Sequence, residues 1–219
     1  MSASARPTFR CRALLFDLDG VLVDSRRVVE RTWERWAERH QLDPWPIIRI
    51  AHGRRARDTL RDIHPHLAMD AEVAWLDDCE LNDVEGLRAI PGAKELLASL
   101  PPDRWAIVTS CGRTLAELRL GAVGIVPPRT FVVTTDVPRG KPAPDGYLLG
   151  AGRLGVDAGD CIVFEDAPPG IAAGRAAGAR VIGVATTHPA ADLKDVAAIV
   201  PDLSGVRARA EGDGLVVTL

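Results

Sequence analysis

Lysine is scarce in this chain of 219 residues: Lys94, Lys141 and Lys194 are the only three among 27 basic positions. Thirty acidic residues bring the net charge to -3, so the excess of positive charge that general binding to nucleic acid or to a membrane surface requires is missing. Cysteine is sparse too. Cys11, Cys79, Cys111 and Cys161 are scattered with no Cys-x-x-Cys pair, which points to free thiols, with Cys11 and Cys161 in strand-like runs, rather than to disulfides or a zinc site. No apolar signal segment precedes the first strand-like run near Cys11, and no later run approaches a membrane span. The expectation is a cytoplasmic protein without nucleic-acid or membrane partners. Internal repeats and low-complexity segments are absent as well, and the length suffices for a full hydrophobic core.

What is present is an alternation. Short β-branched runs recur at Ala13–Phe16, Trp105–Thr109, Thr130–Thr134, Cys161–Phe164, Arg180–Val184 and Ala197–Val200. Helical patterns fall between most of them, at Ala93–Leu100, Thr114–Leu120, Gly146–Leu154 and Gly170–Ala177. Strand and helix in turn predict an α/β fold, a Rossmann-like, mostly parallel sheet with helices on both faces. Residues 24–86 break the pattern. They contain no convincing strand, while Val29, Trp33, Trp36 and His40 fall at helical spacing and Ala71–Leu81 repeats the habit. This predicts an inserted helical domain over 24–86, with 1–23 and 87–219 forming the core and Gly86, Pro91 and Gly92 marking the return. Trp33, Trp36 and Trp45 are expected to pack inside the insertion, and Gly214–Leu219 to add an edge strand. His64-Pro65-His66 reads as a surface turn, since no further ligand lies near it.

Chemistry concentrates where the apolar runs stop. Asp17 and Asp19, one residue apart, follow Ala13–Phe16 and lead into Gly20. Ligands of open α/β sheets bind beyond the carboxyl ends of the strands, so both acids are expected at a crevice mouth. Two carboxylates this close repel unless a cation binds or one takes a proton, which suits a metal, a nucleophile and a proton carrier, although a bare Asp-x-Asp-Gly also suits a capped turn. Later runs end in Thr109-Ser110, a hydroxyl with turn amides, and in Glu165-Asp166, a second acidic pair. Between them Gly140-Lys141-Pro142 offers a compact point charge in a chain that otherwise favours arginine.

The ordered set Asp17-Leu18-Asp19-Gly20-Val21, Val108-Thr109-Ser110, Gly140-Lys141-Pro142-Ala143-Pro144-Asp145 and Val163-Phe164-Glu165-Asp166-Ala167-Pro168-Pro169-Gly170 resembles the haloacid dehalogenase-like hydrolases, in the subgroup with a helical cap inserted after the first strand. Within that family the segment from Asp136 to Pro142, Tyr147-Leu148 and His52-Gly53-Arg54-Arg55-Ala56-Arg57-Asp58 are similar to sugar, 2-deoxyglucose-6-phosphate and glycerol-phosphate phosphatases. The resemblance implies that Asp17 is the nucleophile and Asp19 the general acid and base. It implies Mg²⁺ held by Asp17, Asp19 and Asp166 with Glu165 behind them, and phosphoryl oxygens met by Thr109, Ser110 and Lys141. His52 and Arg55 of the cap would then choose the substrate, a small phosphorylated metabolite, in a monomer or homodimer. A β-phosphoglucomutase-like enzyme and a catalytically idle binding module remain open as alternatives at this point. A phosphonate hydrolase would need a cap lysine, and a haloacid dehalogenase would not need Asp19.

Overall fold

The computed structural model describes residues 6–219. In chain order its elements are β1 (Thr8–Cys11), β2 (Ala13–Phe16), β3 (Val23–Asp24), α1 (Arg26–Arg39), α2 (Trp45–Ala51), α3 (Ala56–Ile63), α4 (Asp70–Leu81), β4 (Arg88–Ala89), α5 (Ala93–Ala98), β5 (Trp105–Val108), α6 (Arg113–Ala122), β6 (Thr130–Val132), α7 (Asp145–Arg153), β7 (Cys161–Glu165), α8 (Pro168–Ala176), β8 (Arg180–Val184), β9 (Ala198–Val200), β10 (Arg207–Glu211) and β11 (Gly214–Thr218). Among the described residues no helix is long and apolar enough to cross a membrane.

Six strands form a parallel sheet in the order β6-β5-β2-β7-β8-β9. Phe16 of β2 lies opposite Ile107 of β5 on one side and Phe164 of β7 on the other, and the two phenylalanine rings stack at 5.1 Å. The chain departs from β2 in both directions, so the loops beyond β2, β5 and β7 diverge and open a crevice at their carboxyl ends. The strands read as unbroken apolar runs because both faces of the sheet are covered. Leu14 and Phe16 join a core with Leu96 of α5 and Leu120 of α6; Ala13 and Leu15 join another with Tyr147 of α7 and Ile171 of α8.

Helices α1 to α4 enclose a third cluster, built on Trp33, Trp36, Ile47, Ile48, Leu60 and Leu76. Trp36 Nε1 donates to Glu72 Oε2 at 2.8 Å, so the buried indole keeps a polar partner. Trp45 departs from expectation. It opens α2 just before Pro46 and is 64% exposed, because that short helix buries Ile47, Ile48 and Ala51 instead. The segment leaves and re-enters the sheet domain through a two-rung antiparallel ribbon, with Val23 opposite Ala89 and Asp24 opposite Arg88. Gly92, just after the return, has φ +82°, and a Cβ there would lie 2.3 Å from the Leu203 carbonyl oxygen.

The end of the chain also differs from its reading. Gly214–Thr218 is the middle strand of a separate antiparallel sheet, β1-β11-β10, rather than an edge of the main one. Its alternation places Leu215 and Val217 in the first core, which is what holds the small sheet in place.

Candidate active site

Asp17 follows β2, Thr109 follows β5, Glu165 ends β7 and Asp166 follows it, so four polar groups stand at adjacent strand ends. Asp17, Glu165 and Asp166 are buried and bring carboxylate oxygens within 4.8 Å of one another. The loop after β6 delivers Lys141, whose Nζ lies 2.7 Å from Asp17 Oδ1 and 2.6 Å from Glu165 Oε1. Lys94 and Lys194 are exposed, whereas Lys141 is buried, so the one lysine kept inside is the one among carboxylates. Tyr147 donates its hydroxyl to Glu165 Oε1 at 2.5 Å, and the Asp166 amide donates to Glu165 Oε2 at 3.2 Å. Glu165 is therefore fully engaged in placing Lys141. Two glycines make room: a Cβ on Gly20 would lie 2.1 Å from Asp166 Oδ2, and one on Gly170 1.8 Å from Glu165 Oε1.

The electrostatics ask for a cation. Burial, joined by Glu165 and Asp19, pushes the Asp17 carboxyl up to about 7 against the pull of Lys141. Burial, with Glu165 and Asp17 adding to it, also pushes Asp166 well above the usual carboxylate range. Lys141 stays charged in spite of its burial because Asp17 and Glu165 face it. With all three ionised, three carboxylates against one ammonium would leave two negative charges, and Asp166 Oδ1 is buried without a hydrogen-bond partner. An all-oxygen donor set with that charge and one unsatisfied oxygen fits a hard divalent cation.

Asp19 stands beside this cluster in a setting of its own. Its Oδ1 accepts from Ser25 Oγ at 2.6 Å and pairs with Arg119 Nη1 at 2.8 Å, while Cys111 Sγ donates to its Oδ2 at 3.0 Å. Arg119, on α6, is only 2% exposed, and its Nη2 donates to Glu80 Oε2 on α4 at 2.9 Å. The sequence reading missed Ser25, Glu80, Cys111 and Arg119. A signal was present, since Arg119 falls on the buried stripe Leu115, Ala116 and Leu120 of its helix, where an arginine needs an anionic partner.

Thr109 is buried, and its Oγ1 accepts from the Cys111 amide at 3.1 Å. Ser110 donates its hydroxyl across the crevice to the Gly53 carbonyl at 3.0 Å. A cavity of about 450 Å³ lies between the strand ends and the helical insertion, bounded by Asp17, Asp19, His52, Thr109 and Glu80 among others. Burial, with His188 nearby, lowers His52 to about 4, so its ring is neutral. The Arg55 guanidinium donates to the carbonyls of Thr134 and Val137, both at 2.9 Å, and of Pro138 at 3.2 Å. It thus lines the cavity while its guanidinium is bound to the sheet domain.

Residues 11–178 match the haloacid dehalogenase-like hydrolase family, and the chain belongs to it. It is 40% identical over 213 residues to hexitol phosphatase A of Escherichia coli (strain K12), spanning 95% of this chain and 99% of that protein. It is 34% identical over 209 residues to glycerol-1-phosphate phosphohydrolase 2 of Saccharomyces cerevisiae, spanning 89% and 83%. Among solved structures, a hydrolase from Pseudomonas syringae superposes with a TM-score of 0.77 at 26% identity, covering 88% of this chain and 94% of that one.

Proposed function

We propose that this hydrolase cleaves the phosphate monoester of a small sugar or polyol through an aspartyl-phosphate on Asp17, with Mg²⁺ as its cofactor. The observation that carries the reading is the Lys141–Asp17 contact of 2.7 Å inside a three-carboxylate cluster that opens on a metabolite-sized cavity. The relatives named hexitol phosphatase and glycerol-1-phosphate phosphohydrolase support the substrate class.

In this reading a carboxylate oxygen of Asp17 attacks phosphorus as the ester oxygen departs, and Asp19 gives that oxygen its proton. Asp19, now a carboxylate, takes a proton from water as the water oxygen attacks the aspartyl-phosphate; inorganic phosphate leaves and both acids return to their starting forms. Lys141, Thr109 and the Ser110 amide meet the phosphoryl oxygens, where the transition-state charge gathers. Asp17, Asp166 and the Asp19 carbonyl would hold Mg²⁺, which when bound adds positive charge beside those oxygens. Glu165 stays behind them, anchoring Lys141. Residues 24–86 act as a cap that excludes bulk water, with His52 facing the leaving group and Arg55 tying the cap to the sheet domain.

A mutase would need a free cation on the far side of the pocket to grip a second phosphate. Arg54, Arg57 and Arg61 are instead paired with Asp62, Asp70 and Asp58, which favours hydrolysis. The test is phosphate release from hexitol, glycerol and deoxysugar phosphates with Mg²⁺, with phosphorus NMR on β-glucose-1-phosphate. Phosphate release that stops on chelation and in Asp17→Asn is expected. Glucose-6-phosphate appearing faster than inorganic phosphate, or full activity in excess chelator, would overturn the reading.

A further inference from the structure

We propose that Arg119 is a positioning residue for Asp19, and that Glu80 of the cap holds Arg119 in place, so that proton delivery to the leaving group depends on the cap sitting on the sheet domain. The inference rests on the acid–base role proposed above for Asp19. Arg119 reaches the site from α6, in the sheet domain, and uses its two terminal nitrogens on two different bodies. Nη1 lies 2.8 Å from Asp19 Oδ1 and 3.0 Å from Cys111 Sγ; Nη2 lies 2.9 Å from Glu80 Oε2, on a helix 39 residues earlier in the chain. Its Nε is buried without a partner, so besides the two carboxylates only the Cys111 sulfur, itself in the sheet domain, touches the guanidinium among the described residues. A planar fork serves two carboxylates at once only while both stay in its plane, which a single ammonium cannot imitate.

The consequence follows from which part of the chain owns each carboxylate. Asp19 belongs to the strand end of β2 and does not travel with the cap, whereas Glu80 sits on α4, which packs against α6. Moving α4 away removes the Nη2 anchor and leaves the guanidinium held through Nη1 alone, able to turn about that end. Asp19 then loses the partner that aims its Oδ1. Ser25 reinforces the arrangement, because its hydroxyl donates to the same Oδ1 at 2.6 Å from the residue that precedes α1, the first cap helix. Two of the contacts to Asp19 or to its aligning arginine thus originate where the cap begins or ends its packing. In an open state the acid is unaligned, so a leaving group that needs a proton departs only under a seated cap.

The test compares leaving groups that do and do not need a proton. Glu80→Ala, Arg119→Lys, Asp19→Asn and the double variant Glu80→Ala with Asp19→Asn are assayed with a hexitol phosphate and with p-nitrophenyl phosphate. Each single change at Glu80 or Arg119 is expected to lower kcat for the hexitol phosphate about 10-fold or more and that for p-nitrophenyl phosphate less than about 3-fold. The double variant should be no slower than Asp19→Asn alone, because the effect runs through Asp19. Glu80→Gln, whose amide oxygen still accepts from Nη2, should recover most of the loss. Equal losses on the two substrates, or losses that multiply in the double variant, would overturn the positioning role and leave a purely structural ion cluster. If Glu80→Ala does not fold by circular dichroism, Arg119→Lys and Glu80→Gln decide the same comparison. A parent protein that releases phosphate from neither substrate overturns the phosphatase reading itself, and this inference with it.

Discussion

Replacing Asp17 with asparagine should stabilise the metal-free protein even as it abolishes turnover, and the stabilisation should grow with pH. Burial with Glu165 and Asp19 nearby lifts the Asp17 carboxyl from 3.8 to about 7 in the folded chain. Between those values the folded protein retains a proton that the unfolded chain has released. Stability therefore falls as pH rises through that window, and it stays at the lower level above pH 7. Each pH unit inside the window costs about 1.4 kcal/mol, and asparagine, which does not ionise, escapes the cost. The difference between variant and parent should widen by about 2–3 kcal/mol from pH 5 to pH 8, or about 5–10 °C in Tm for a chain of this size. The lost bond from Lys141 sets the offset between the two proteins, and His52 titrates in both, so the change of the gap with pH reports Asp17 together with Asp166, which the Asp17 charge helps to push up. Thermal unfolding followed by circular dichroism in excess EDTA at pH 5, 6.5 and 8 measures it. A gap that does not move with pH refutes the reasoning. Excess Mg²⁺ should narrow the gap at pH 8, because a cation bound to the native acids stabilises the parent more than the variant.

Two further outcomes follow from the same site. Gly170→Ala places a methyl 1.8 Å from Glu165 Oε1, so Glu165 must move and Lys141 loses one of its two carboxylates; a fall in kcat of about 100-fold and a destabilisation of about 1–3 kcal/mol are expected in steady-state and urea-unfolding measurements. Arg55→Ala removes three bonds to sheet-domain carbonyls, so KM should rise by a similar factor for every phosphate ester tested; a change in substrate ranking would instead place Arg55 against the leaving group.

The sheet and the acids at its strand ends were legible because both follow from local pattern. A strand buried on both faces must be apolar throughout, and β2, β5 and β7 announce themselves that way before stopping at a polar residue. Helix α6 was legible too, but its most telling residue was not. Arg119 has its partners at Asp19, Glu80 and Cys111, two of them far away in the chain, and nothing in the spacing of 113–122 names them. Glu80 is similar: it follows Val73 and Leu76 on one face of α4, where a carboxylate reads as surface until the arginine is known. Trp45 shows the converse, since a large aromatic side chain signals burial while its position ahead of Pro46 at a helix start turns it outward. Strand β1 alternates half-buried and exposed positions over four residues, and only its pairing with β11, some two hundred residues on, makes it a strand.

The ribbon of β3 and β4 has a meaning for how such a chain can be altered. Val23 and Ala89 face each other across one antiparallel rung, so everything between them is a loop whose two ends already touch. A two-residue reverse turn spans the same gap. The parallel sheet keeps its register whatever length of chain is threaded through that gap, because closure entropy grows only with the logarithm of loop length. The helices between those two residues can therefore be exchanged wholesale while the acids at the strand ends stay as they are. The join acts as a socket, and a shortened chain in which a two-residue turn links Val23 to Ala89 should still assemble its sheet.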